Sequence, residues 1–236
     1  MSKITSTLNH HSQLHNETIS ALEKLTELPE KITVLFFAAN PVDQSQLRLD
    51  EEVRAIDNMI RASKHRDAVK LVSRWAVRPT DIFQAINEHT PTIIHFSGHG
   101  SNCDEIIFQD ERGMAKAVSK KAIVEVMMAS GCNIRLVFFN TCYSRNQAEA
   151  VVDFVEAAIG MNTSIGDDAA RIFAAAFYSA LGFAHSVPLA FQQAKATLLL
   201  ENIPEENTPE LFIKSGCEAN ALIIVRPSST EDALVS

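Results

Sequence analysis

Two apolar stretches of the chain are each followed by polar residues that could carry out nucleophilic chemistry. His99 lies between Gly98 and Gly100 after one stretch, and Cys142 follows Asn140 after the other. If the two stretches are neighbouring strands, their axes lie about 4.8 Å apart, so residues just beyond their ends can converge on one point. An imidazole beside a thiol can accept the thiol proton, and the resulting thiolate can attack a carbonyl carbon.

The same residues could stabilise the negative charge that such an attack creates. Gly100 has no side chain to obstruct its backbone N–H, and Cys142 offers its own N–H at a strand-to-helix turn, so the two could form an oxyanion hole. Their spacing is equally compatible with purely structural roles. A buried cysteine often serves as a small apolar side chain, and a histidine in a glycine-rich loop can simply bond to the backbone.

A metal or an organic cofactor is not expected. His95, His99 and Cys103 recur at intervals of four, but His95 falls inside a predicted strand and no fourth ligand is evident, so the set does not match a zinc site. Residues 97–100 also lack the lysine and the serine or threonine of a phosphate-binding loop. The sequence therefore predicts neither kind of group.

The elements that would position His99 and Cys142 alternate between strand-like and helix-like patterns. Predicted strands cover residues 32–38, 69–77, 92–96, 134–139, 155–160 and 221–225, with a hairpin within 105–118. Predicted helices cover residues 50–63, 81–86, 119–130, 147–152, 167–181 and 187–201. This alternation predicts an α/β fold, a three-layer sandwich with a mostly parallel central sheet and helices on both faces. Ligands and catalytic groups gather at the carboxyl ends of the strands in such sheets, which is where both loops lie.

Composition excludes several classes of function. The net charge is −8, from 21 Lys+Arg and 29 Asp+Glu, so the chain lacks the basic surface of a nucleic-acid-binding protein. No apolar run of about 18 residues or more predicts a membrane span, and the start of the chain has no apolar core of signal-peptide length. The four cysteines form no CxxC pair, which favours a reducing compartment and predicts a cytoplasmic protein.

Three regions are predicted along the chain. Residues 1–30 form a polar extension with one short amphipathic helix, whose apolar stripe is too small to fold alone and should dock on the domain or on a partner. Residues 31–226 are predicted to form the main domain, and residues 227–236 a flexible tail. The stripe consists of Ile19, Leu22, Leu25 and Leu28.

Two segments carry a resemblance to a known family. Residues 94–100, Ile-His-Phe-Ser-Gly-His-Gly, and residues 137–144, Val-Phe-Phe-Asn-Thr-Cys-Tyr-Ser, resemble the two active-site motifs of the CHAT domain family. These are caspase-like (clan CD) cysteine peptidases related to separase and the caspases. Further similar segments fall at 34–41, 47–54, 76–79, 158–161, 167–170, 173–182 and 190–191, so the resemblance covers about residues 32–226. The chain departs from the family where Thr141 replaces a more usual Ala and Met161 a frequent Trp.

The resemblance implies a caspase-like fold and a cysteine endopeptidase that cleaves a specific protein. It implies that His99 is the base, that Cys142 is the nucleophile, and that Gly100 and Cys142 supply the oxyanion N–H groups. It also implies control by a regulatory or activating protein partner, and a bacterial defence or cell-death setting in which a gasdermin-like protein is one candidate target. Two alternatives remain: a catalytically idle caspase-like scaffold that acts by protein binding, and a nucleotide-handling domain, which would need a phosphate loop or a catalytic Glu that the sequence does not show.

Two clusters of charged residues flank the motifs. Asp167 follows the strand at 155–160, where separase, which this segment resembles, carries an Asp, so we expect it to bind a basic residue before the scissile bond. Asp168 is expected to cap the helix that follows. Arg48, Glu52 and Arg54 are interpreted as a solvated helix face or a buried structural pair in preference to part of the site.

Overall fold

The computed structural model describes residues 15, 31–131 and 133–226. The described strands are β1 (Ile32–Ala39), β2 (Val69–Trp75), β3 (Ile93–Gly98), β4 (Gly100–Ser101), β5 (Glu105–Gln109), β6 (Ala115–Ser119), β7 (Leu136–Asn140), β8 (Ala157–Met161) and β9 (Pro209–Ile213). The described helices are α1 (Leu49–Ala62), α2 (Asp81–His89), α3 (Lys120–Ala129), α4 (Arg145–Val151), α5 (Asp167–Gly182) and α6 (Val187–Leu200).

Six strands form one sheet in the order β2-β1-β3-β7-β8-β9. All neighbours are parallel except β8 and β9, which are antiparallel. Strands β3, β7 and β8 are buried along their whole length, which explains why their sequences are apolar on both faces. The strands that precede His99 and Cys142 are direct neighbours, as the sequence predicts, with Ser97 opposite Asn140 in the register.

The sheet has a separate apolar core on each face. Side chains of β1 alternate between them, so that Phe36 joins one core and Phe37 the other. Helices α1, α5 and α6 cover the first core, and α2, α3 and α4 cover the second. The predicted three-layer sandwich, with a mostly parallel sheet and helices on both faces, is confirmed.

A small antiparallel sheet of β4, β5 and β6 follows His99 directly. The hairpin predicted from the sequence is therefore present, and Gly113, with φ of +77°, lies in the turn between its strands. Ser119 caps α3, because its hydroxyl accepts a hydrogen bond from the Ala122 N–H at 3.4 Å.

The predicted last strand is wrong. Residues 221–225 form no strand, although Leu222, Ile224 and Val225 are buried and Ile223 makes an isolated bridge to Ser186. The sixth strand of the sheet is β9, which the sequence analysis missed. Strand β9 begins with a proline, a residue type that argues against a strand when only the sequence is considered. An edge strand accepts proline at its first residue, because the N–H that proline lacks is not needed for pairing there.

The predicted amphipathic helix within residues 1–30 and the predicted tail at 227–236 lie outside the described residues, as does Cys132. Among the described residues, no helix combines the length and apolar character needed to cross a membrane.

Candidate active site

His99 is oriented by a backbone carbonyl group. Its Nε2 lies 2.8 Å from the carbonyl oxygen of Ser45, in the loop between β1 and α1. A carbonyl oxygen can only accept, so Nε2 carries the hydrogen and donates it. In the neutral ring this assignment leaves Nδ1 with a lone pair, which is the form of imidazole that can accept a thiol proton.

The loop that provides this carbonyl is fastened to the small sheet. The Val42 N–H donates to the carbonyl of Gly113, and the side chain of Asp43 accepts from the Ala115 N–H at 2.8 Å. The Asn40 side chain bonds to both the N–H and the carbonyl of Leu47, which closes the loop at its other end. Both ends of the loop are therefore held by hydrogen bonds.

Cys142 occupies a tight turn between β7 and α4. The next residue, Tyr143, has φ of +56°, and its N–H donates to the carbonyl of Thr163. A non-glycine residue in the left-handed region is uncommon and often marks a functional turn. The Cys142 thiol is partly exposed and lies 3.9 Å from the carbonyl oxygen of Ile165.

The two loops are in direct contact. A Cβ atom built on Gly100 would lie 2.0 Å from the carbonyl oxygen of Cys142. No side chain fits at that distance, so the backbone after His99 can pass over the backbone of Cys142 only because residue 100 is glycine. The structure thus brings together His99, Gly100 and Cys142, as the sequence predicts.

A pocket opens beside this contact. His99 and Cys142 line it together with Asp167, and Leu47, Leu49 and Ile165 supply apolar wall. Asp167 is exposed, and no hydrogen bond or ion pair joins its side chain to another described residue. The structure therefore places Asp167 at the pocket that contains the thiol.

The expected cap by Asp168 is wrong. Helix α5 begins at Asp167, its N-cap residue is Gly166, and no side chain caps it. Asp168 pairs instead with Arg171 within the first turn, at 2.8 Å. Both carboxylates still lie in the first helical turn, where their charge complements the exposed N–H groups.

The pocket includes two residues that the sequence analysis assigned to a helix face or structural pair. Arg48 and Glu52 both line the pocket, whereas Arg54 lies on the solvated face of α1 as expected. Arg48 is itself paired with Asp50 and Glu51 at 3.2 and 2.9 Å. The Asp50 hydrogen bond raises the pKa of Arg48 above its usual value, so it remains a cation.

Among the described residues, no group of three His, Cys, Asp or Glu side chains is arranged to hold a metal ion. Cys103 is exposed and Cys217 is partly exposed, and both are free thiols. Neither lines the pocket.

The sequence profile of the CHAT domain matches residues 2–212, most of the chain. The chain belongs to the CHAT domain family. A probable protease of Gillisia limnaea is 23% identical to it over 150 residues, which span 63% of this chain and 26% of that protein. A Roc-COR-CHAT protease of an unknown prokaryotic organism is 22% identical over 191 residues, which span 75% of this chain and 18% of that protein. The CHAT chain thus spans about a quarter or less of the length of these relatives.

Solved structures share the fold of this CHAT domain. The Arg-specific cysteine proteinase gingipain R matches 83% of the chain and 48% of its own, with a TM-score of 0.56 and 11% identity. Caspase-1 of Spodoptera frugiperda matches 80% of the chain and 92% of its own, with a TM-score of 0.51 and 11% identity. Separase of Saccharomyces cerevisiae, solved as a complex with securin, matches 79% of this chain and 12% of its own chain, with a TM-score of 0.50 and 14% identity. The prediction of a CHAT-type member of the caspase-like cysteine peptidases is therefore confirmed at the level of family and fold.

Proposed function

We propose that this CHAT domain is a cysteine endopeptidase that cleaves a protein after a basic residue. The observation that carries the proposal is the contact between the His99–Gly100 backbone and the Cys142 turn at the mouth of one pocket. The thiol and the imidazole line the same pocket, and the carbonyl of Ser45 accepts the hydrogen of His99 Nε2, which leaves Nδ1 as the proton acceptor.

The reaction follows from these positions. The Cys142 thiol gives its proton to Nδ1 of His99, and the sulfur attacks the scissile carbonyl carbon. The carbonyl oxygen becomes negative and binds the N–H groups of Gly100 and Cys142. The C–N bond then breaks, and His99 returns the proton to the leaving amine. A water molecule, deprotonated by His99, hydrolyses the thioester and restores the thiol.

Specificity for a basic residue is supported by Asp167. Its carboxylate lines the pocket and is not used by another described side chain, whereas that of Asp168 is held by Arg171. A carboxylate binds a guanidinium through strong charge-assisted hydrogen bonds. Gingipain R, which shares the fold, is an Arg-specific proteinase.

The proposed setting is the cytoplasm, because the active thiol must stay reduced and the described cysteines are free. Control by a protein partner is also part of the proposal. It is supported by separase, a structural neighbour that was solved in complex with securin.

The test is a peptide-cleavage assay that compares the wild type with Cys142→Ala and His99→Ala. We expect no turnover in the first variant and a loss of at least about 100-fold in the second, because that is the usual contribution of a general base. The controls are Cys103→Ala and Cys217→Ala, which should keep the wild-type rate. Normal turnover by Cys142→Ala would contradict the mechanism.

Thiol labelling provides a second measurement that does not need the natural target. Cys103 is more exposed than Cys142, so simple accessibility predicts that Cys103 is labelled first. Activation by His99 predicts the opposite order, because the thiolate is the reactive form. A limiting amount of a thiol reagent should therefore modify Cys142 first, and modify it much more slowly in His99→Ala.

A further inference from the structure

A buried carboxylate lies beneath both active-site loops. Glu52, on α1, is 4% exposed and accepts three hydrogen bonds. Its Oε2 accepts from the Ser97 hydroxyl at 2.6 Å, and its Oε1 accepts from the Asn140 amide at 2.7 Å and from His95 Nε2 at 2.9 Å. All three donors lie on strands of the sheet, so one helix residue accepts hydrogen bonds from both β3 and β7.

Two of the donors lie at the ends of the strands that present His99 and Cys142. Ser97 and Asn140 face each other in the register of β3 and β7. Ser97 is two residues before His99, and Asn140 is two residues before Cys142. The Glu52 carboxylate therefore joins the two strands at the last point before each chain departs toward the site.

The third donor extends the network into α5. The hydroxyl of Tyr178 lies 3.1 Å from His95 Nδ1, while His95 Nε2 donates to Glu52. Burial first, and then the charge of Glu52, raises the pKa of Tyr178 well above its usual value, so the hydroxyl keeps its proton and can donate. His95 is fully buried and packs between the rings of Phe36 and Phe138.

Filling a core with such a polar network is energetically unfavourable compared with apolar packing. A buried carboxylate has a large desolvation penalty, and apolar residues of similar volume often give equal or greater stability at such positions. No Lys or Arg side chain pairs with Glu52 among the described residues. The placement of this charge under the site indicates a role in positioning.

We propose that Glu52 is a positioning residue that fixes the distance between His99 and Cys142 by holding Ser97 and Asn140 together. The inference depends on the proposed cysteine-peptidase function. Glu52 also lines the pocket, so direct binding of a basic substrate is the competing role. The geometry favours positioning, because both carboxylate oxygens already accept hydrogen bonds from the protein.

Two substitutions of Glu52 distinguish the effect of side-chain length from the effect of side-chain charge. Glu52→Asp keeps the charge but withdraws the carboxylate by one methylene, so it can no longer reach both strands. Glu52→Gln keeps the length and can still accept from Asn140 and His95, but it removes the charge. The control is Asp57→Asn, which removes a carboxylate from the same helix where it pairs with Arg61 on the surface.

Positioning predicts that the shorter side chain is the more damaging. We expect Glu52→Asp to lower kcat by about 10- to 100-fold for arginine and uncharged substrates alike, with KM within about twofold, because small displacements of catalytic groups have effects of that size. Glu52→Gln should lose less, and Asp57→Asn should match the wild type. The proposal is overturned if Glu52→Gln raises KM for arginine substrates alone while Glu52→Asp keeps normal kcat.

Alkylation of Cys142 by iodoacetamide, measured as a rate at one fixed pH, keeps this test independent of peptide cleavage. Loss of the aligned imidazole should lower this rate in Glu52→Asp, because the thiolate is the reactive form. If the wild type cleaves no peptide but the rate still falls in Glu52→Asp, the proposed function fails and the positioning role stands. An unchanged rate in a folded variant overturns the positioning role. Should Glu52→Asp not fold, Ser97→Ala removes one of the bonds and should show the same loss in smaller measure.

Discussion

At the scale of single residues, Asp167 and Asp168 are adjacent carboxylates with different surroundings. Asp168 is held by Arg171, whereas Asp167 lines the pocket beside the thiol. We expect Asp167→Asn to lower kcat/KM for cleavage after Arg or Lys by about 10- to 100-fold, because a hydrogen bond to a charged group contributes roughly 1.5–3 kcal/mol. A panel of peptides that differ in the residue before the scissile bond measures this change.

The matched control is Asp168→Asn, which should leave the preference for basic residues intact. Alkylation of Cys142 by a small neutral reagent should be similar in both variants, since neither carboxylate takes part in activating the thiol. Faster cleavage after Asp or Leu than after Arg by the wild type would show that the pocket does not select a basic side chain.

The sequence pointed to the two side chains that we propose to react, but not to the groups that orient them. His99 and Cys142 could be found because each follows an apolar strand, His99 between two glycines and Cys142 in a run of polar residues. The partner of His99 is the main-chain carbonyl of Ser45. Every residue has a main-chain carbonyl, so the sequence gives no sign of which one binds His99. Glu52 lies in the acidic run 50–52 and resembles a solvated helix residue. Its burial depends on the packing of α1 against β3 and β7, which local patterns do not contain.

At the scale of elements, Asp104 joins three parts of the domain. It lies between β4 and β5, and its side chain accepts from Lys120 of α3 at 2.9 Å and from Asn146 of α4 at 2.8 Å. The hydrogen bond from Lys120, followed by that from Asn146, lowers the pKa of Asp104 below its usual 3.8. Because α4 follows Cys142, this carboxylate connects the small sheet to the helix that begins just after Cys142.

The sign of this shift determines how stability depends on pH. A carboxyl group with a lowered pKa in the folded state stabilises the protein above its unfolded pKa, and the contribution is lost as the pH falls through the folded pKa. We expect Asp104→Asn to lower the free energy of unfolding by no more than about 1 kcal/mol, since the Asp104 and Lys120 side chains are 31% and 39% exposed and solvent weakens the pair. Urea unfolding should give the same difference at pH 7 and pH 5, and a smaller one below pH 3.8. A difference that grew between pH 7 and pH 5 would contradict this assignment.

Element prediction succeeded where burial and pattern agree and failed at the edge of the sheet. Strands β1, β3, β7 and β8 are covered on both faces, so their apolar runs are unmistakable. Strand β9 pairs on one side and is only half-buried, so its sequence carries a weaker signal. Residues 221–225 have the opposite character. They are apolar because they complete a core, and burial alone does not distinguish a strand from an irregular segment.

At the scale of the whole molecule, the three layers account for how one pocket can combine groups from distant parts of the sequence. The neighbouring strands β3 and β7 deliver His99 and Cys142, and α5 begins at the same edge of the sheet with Asp167. Helix α1 packs on the same face of the sheet as α5, and its Glu52 bonds to Ser97 near the end of β3. The pocket is therefore a consequence of parallel strand order, since parallel neighbours end at one edge.

The overall charge should influence which substrates reach this pocket. The chain carries a net charge of −8, which attracts cationic peptides over a range set by the ionic strength. The screening length falls from about 10 Å at 0.1 M salt to about 3 Å at 1 M.

For a peptide with Arg before the scissile bond and basic flanking residues, kcat/KM should fall several-fold across this range, because long-range attraction is screened. A peptide with the same Arg but acidic flanking residues, and no net charge, should lose much less. Alkylation by iodoacetamide should not change with salt, because the reagent is neutral. Equal salt dependence of the two peptides would show that only the contact with Asp167, and not the field of the molecule, selects the substrate.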